Sequence, residues 1–124
     1  MQKQTWHVGN IRARCAQEGS CSASEKTAID KLLSQQKSYA ERIREVSNRE
    51  IQTKDYPDRY PTNQDAIGIE IVGRDYTKAT PEQLSAVRDL VEALKDRFGL
   101  SNDDVYAHGT ISYKDPQEGS NLGY

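Results

Sequence analysis

Apolar residues are spaced in different ways along this chain, and each spacing predicts a different element. Ala66-Ile67-Gly68-Ile69-Glu70-Ile71-Val72-Gly73 is a short β-branched run closed by glycine, which predicts a strand buried on both faces. Glu70 interrupts that run. A carboxylate in such a strand loses hydration and must be paired, protonated or set at a cavity. It is then a structural ion-pair partner, a strand-end acid reaching solvent, or a functional acid.

Residues 22–51 carry Ile29, Leu32, Leu33, Tyr39, Ala40, Ile43 and Val46 among Lys, Gln, Glu, Arg and Ser. This predicts one helix with a narrow apolar stripe, capped at Ser24 and docked on one side only. Its outer face suits either solvent or a protein partner. Residues 52–65 hold Pro57 and Pro61 and read as a loop. Thr80-Pro81-Glu82-Gln83 is a strong helix start, with Leu84, Val87, Leu90, Val91, Leu94 and Phe98 as its apolar face and Gly99 as its stop. This helix is expected to pack on a sheet. Trp6-His7-Val8 and Val105-Tyr106-Ala107-His108 read as short strands.

The 124 residues suit one modest domain spanning 1–124. Only 35% of them are hydrophobic and the mean hydropathy is −0.89, so the core is lean. Seventeen basic and 19 acidic residues give a net charge of −2, which argues against a nucleic-acid binder with a basic face. No apolar run is long enough to span a membrane. Residues 1–5 lack the apolar core of a signal peptide, so the compartment is left open. Cys15 and Cys21, separated by a Gly19-Ser20 turn, can close a local disulfide, remain free thiols or ligate a metal.

The two histidines, His7 and His108, are far apart in sequence. A zinc site would have to be assembled from distant segments, and His108 before a carboxylate-bearing tail has suitable chemistry. Trp6-His7-Val8-Gly9, Ile67 to Gly73, Thr80 to Leu84 and His108-Gly109-Thr110-Ile111-Ser112-Tyr113-Lys114 occur in that order. This ordered set resembles the zinc-dependent N-acetylmuramoyl-L-alanine amidases. That family includes phage endolysins and shares its fold with peptidoglycan recognition proteins.

The resemblance implies an α/β fold: a mixed β-sheet flanked by helices, with 22–51 as a helical insertion. It implies hydrolysis of the N-acetylmuramoyl-L-alanine amide in peptidoglycan by zinc-activated water, in the periplasm or cell wall. Glu70 corresponds to the catalytic acid of the central strand and Lys114 to the lysine facing the substrate carbonyl. His7, with Trp6 and Tyr113 near it, corresponds to the edge of the substrate groove. His108 corresponds to the second zinc histidine. The chain departs from the pattern at two places. The family's first zinc histidine precedes the Trp-His-Val-Gly segment, so the resemblance implies a partial, N-terminally truncated domain. The usual third-ligand position is Pro116, flanked by Asp115 and Glu118, with Glu118 the preferred ligand. The competing expectation is a metal-free peptidoglycan-binding module or an inactive truncated homologue.

Overall fold

The computed structural model describes residues 7–73 and 79–119. These fall into two compact units, one of Met1–Ile67 with Ile111–Tyr113, the other of Gly68–Thr110 with Lys114–Tyr124.

The first unit is built on three helices: α1 (Arg14–Glu18), α2 (Ala23–Leu33) and α3 (Tyr39–Thr53). Gly19 ends α1 in the left-handed conformation, with φ at 70°, a geometry that glycine adopts without penalty. The chain then turns back to Cys21, which is disulfide-bonded to Cys15. Of the three fates open to these cysteines, the structure takes the disulfide. Ala13, Cys15, Ile29 and Val46 form the core, with Leu32, Leu33 and Tyr113 packed against it. The stripe expected as one helix over 22–51 is two helices. From Leu33 to Tyr39 the spacing slips out of the three-and-four register. Ser38 then caps α3 by accepting from Glu41 N, and Ser22, rather than Ser24, caps α2 by accepting from Glu25 N.

Residues 7–13 run beside residues 111–113. Arg12 N donates to Ile111 O at 2.7 Å and Tyr113 N to Asn10 O at 3.0 Å. The Ser112 hydroxyl, fully buried, donates to Val8 O at 2.6 Å, and Ile11 N donates to the Ser47 hydroxyl at 3.0 Å. The pairing is an isolated antiparallel bridge between Ile11 and Ser112, not a strand.

The second unit is organised by α4 (Pro81–Phe98). Its start is the capping box expected from Thr80 and Gln83, and Gly99 ends it with φ at 65°. A 3-10 turn at Asn102–Asp104 follows, then α5 (His108–Ile111), a single helical turn.

The mixed β-sheet flanked by helices is not observed. Among the described residues the secondary structure is helical, and no sheet forms. The segment 66–73 has no strand partner among the described residues, and Ile67, Ile69 and Val72 are exposed, Val72 by 84%. A β-branched run favours extended backbone, but a strand exists only where a neighbour completes its ladder. The expected strand at 105–108 is likewise replaced by irregular chain and the first residue of α5. With no sheet to cover, α4 buries only Val87 and Val91 fully, and Leu90 and Phe98 remain exposed.

Candidate functional site

Within the second unit, His108 opens α5 and Glu118 sits ten residues later on a tight turn. Its Oε1 lies 3.0 Å from His108 Nδ1. Both side chains are about one-third exposed, His108 at 30% and Glu118 at 35%. Backbone contacts hold the turn in place. Gly109 N donates to Glu118 O at 2.9 Å, and Glu118 N donates to Asp115 O at 3.0 Å. Gly109 is buried, and a Cβ there would collide with the Asp115 carbonyl oxygen and the Pro116 backbone. Glycine at 109 is therefore what lets the 115–118 turn close on α5.

A carboxylate beside Nδ1 favours the tautomer with the proton on Nδ1, so that Nε2 carries the lone pair. The carboxylate thereby orients the imidazole ring. Asp115 is exposed and caps the turn, its Oδ1 accepting from Gln117 N at 3.0 Å. Lys114 is also exposed. Glu70 is exposed on segment 66–73 and makes no ion pair with a described residue. Its expected burial in a central strand is thus corrected, for the same reason that the strand is.

In the first unit, His7 N and Val8 N both donate to Asn63 Oδ1, at 3.1 and 2.7 Å. His7 Nε2 lies 3.2 Å from Ala66 O. Tyr113 is half-buried, with the Arg12 guanidinium 4.9 Å from its ring centroid and the Tyr39 ring edge-on at 6.4 Å. Burial pushes the Tyr113 phenol pKa up, with Arg12 opposing. Trp6 lies outside the described residues.

A model of the N-acetylmuramoyl-L-alanine amidase family matches residues 1–118. The chain belongs to that family. No curated protein and no solved structure matches it. The amidase family match spans both units, and the His108–Glu118 turn closes its C-terminal end.

Catalytic zinc takes three protein donors and a water. His108 and Glu118 are two candidate donors, at a hydrogen-bonding separation. Among the described residues no third histidine, cysteine or carboxylate joins them. The group of three that does form is Cys15, Cys21 and Glu25, with ligand atoms within 4.8 Å of one another. Its two sulfurs are bonded to each other. The described donors therefore do not fit the zinc set that an amidase of this type implies.

Two groups lie outside the set predicted from the sequence. Asn63 lies in the loop predicted over 52–65, and its side chain holds the backbone at His7. Glu50 is outside the apolar stripe of 22–51, yet its side chain is fully buried between Arg49 and Lys54. A carboxylate four residues before a lysine was the available signal for that pair.

Proposed function

We propose that this protein hydrolyses the amide joining N-acetylmuramic acid to L-alanine in peptidoglycan, acting as a single amidase domain over 1–124. The observation that carries this reading is the family match over 1–118, which covers His7, Glu70, His108, Lys114, Asp115 and Glu118 together. Peptide bonds between the muramoyl lactyl group and alanine need a proton acceptor for attacking water, a donor for the leaving amine and a cation or dipole for the oxyanion. Glu70 is assigned the proton transfer and Lys114 the oxyanion. His108, Glu118 and Asp115 are assigned the place of the family's metal ligands, with His108 and Glu118 hydrogen-bonded to each other. His7, Trp6 and Tyr113 are assigned to substrate contact. Zinc dependence is the part of the family pattern that the described donors do not support.

The test is incubation of the full chain with a muramoyl peptide, reading the new α-amino group of L-alanine by amine labelling and mass. Metal content is measured on the same sample. Release that is lost in Glu70→Ala and in His108→Ala is expected. A second reading, a peptidoglycan-binding module on the amidase scaffold, is favoured by the lack, among the described residues, of a third donor beside His108 and Glu118. It predicts retention of the chain on insoluble peptidoglycan with no amine released, and equal retention of Glu70→Ala.

A further inference from the structure

We propose that reduction of the Cys15–Cys21 disulfide uncovers a thiolate-rich metal site, with Cys15 Sγ, Cys21 Sγ and Glu25 Oε1 as ligands for a soft divalent cation such as zinc or cadmium. The site is separate from the residues assigned to hydrolysis and does not depend on that assignment.

Four observations build it. The three ligand atoms already lie within 4.8 Å of one another. Glu25 Oε1 stands 3.1 Å from Cys15 Sγ, so the carboxylate needs no rearrangement to face the sulfur. Its other oxygen, Oε2, is held by Lys54 Nζ at 2.8 Å and approached by Arg49 at 4.0 Å. This is the outer-shell contact that orients a ligating carboxylate. Finally, a cavity of about 330 Å³ opens on the cysteines, with Lys26 and Asp30 also on its wall. A reductant and then a hydrated ion can reach the sulfurs through it.

Charge also favours the arrangement. Two thiolates and a carboxylate around a divalent ion leave one net negative charge, and Lys54, 3.7 Å from Cys15 Sγ, stands where a cation would offset it. Gly19 and Ser20 lie in the short loop between the sulfurs. That loop can let them separate to the spacing that two thiolates take on one metal, with the fourth position left to water.

The reduction is balanced by a dithiol. The dithiol gives two electrons and two protons to the Cys15–Cys21 bond and is itself oxidised to a disulfide. On metal binding, the two cysteine protons pass to solvent.

The test uses the full chain, reduced, freed of reductant without oxygen, and titrated with cadmium or zinc. One cadmium per chain with a sulfur-to-cadmium charge-transfer band is expected, and none in the oxidised protein. Glu25→Gln should weaken the affinity by roughly tenfold or more, Cys15→Ser with Cys21→Ser should abolish the band, and His108→Ala should leave it unchanged. Metal should raise the melting temperature of the reduced chain, or refold it where reduction has unfolded it. The proposal is overturned by a reduced chain without the band. Equal affinity in Glu25→Gln, or metal that neither stabilises nor refolds the reduced chain, overturns it as well.

Discussion

His108 Nδ1 and Glu118 Oε1 meet at 3.0 Å because Gly109 has no side chain. The turn that carries Glu118 lies against the Gly109 backbone so closely that a methyl group has no room. Gly109→Ala must push the Asp115–Pro116 backbone away, at a cost of about 1–3 kcal/mol. The Gly109 N to Glu118 O hydrogen bond is then lost with it. The expected result is a lower melting temperature and a changed His108 ring signal by NMR. A variant with unaltered His108 resonances would show that the turn is not set by residue 109.

The buried Glu50 is tied to Lys54 at 3.2 Å and to Arg49 at 3.3 Å. Removing it strands neither cation completely, since Lys54 and Arg49 also face Glu25, but it opens a hole against Val46 and Ser47 on the same helix face. Glu50→Ala is expected to cost about 3 kcal/mol. Lys54→Met alone leaves Glu50 buried with only Arg49 and should cost a similar amount. Combined as Glu50→Ala with Lys54→Met, the two changes should cost less than the sum of the single changes, because Glu50 is then no longer left buried without Lys54. Urea melts of the three variants measure this.

Two groups set an alkaline limit. For Lys54, burial lowers the pKa, but the hydrogen bonds and charges of Glu25 and Glu50 outweigh it and raise the value above 10.5. For Tyr113, burial raises the pKa above 10.0, with the Arg12 charge opposing. Both hold their protons more tightly folded than unfolded. Their contribution is therefore fully present below the unfolded values and is lost as pH rises through the folded ones. Melting temperature should fall above about pH 10. Tyr113→Phe and Lys54→Arg should each make that fall shallower, and phenolate absorbance should show a late-titrating component that Tyr113→Phe removes.

The parts of this fold that were legible in the sequence are those decided within a few residues. The α4 cap at Thr80 and Gln83, its stop at Gly99 and the loop around Pro57 and Pro61 depend on local backbone chemistry alone. The state of segment 66–73 is not legible locally, because a strand is a relation between two segments, and the pattern of one cannot show whether a partner is present. The 22–51 segment divides into two helices because its apolar positions, though mostly well spaced, slip at Ser34–Ser38, where Ser38 supplies a cap. His108 and Glu118 were both singled out, but their direct hydrogen bond depends on the fit of Gly109 under a turn, which no spacing rule encodes. Family membership was legible because it rests on the order of short motifs and not on the elements they form.

Asn63 decides where His7 stands. Its Oδ1 accepts from both His7 N and Val8 N, and Val8 is buried. An acceptor that bridges two consecutive N–H groups fixes the backbone that carries the imidazole. Asn63→Leu removes the acceptor and leaves a donor in a buried place, at a cost of about 2 kcal/mol. Asn63→Asp keeps the oxygen and should be tolerated. On a muramoyl peptide, a role for His7 in substrate contact predicts that Asn63→Leu raises KM with kcat nearly unchanged, since loosening a binding group removes ground-state and transition-state contacts alike. A fall in kcat at constant KM would place His7 instead among the groups that act on the breaking bond, and unchanged kinetics in a destabilised Asn63→Leu would leave it a purely structural residue.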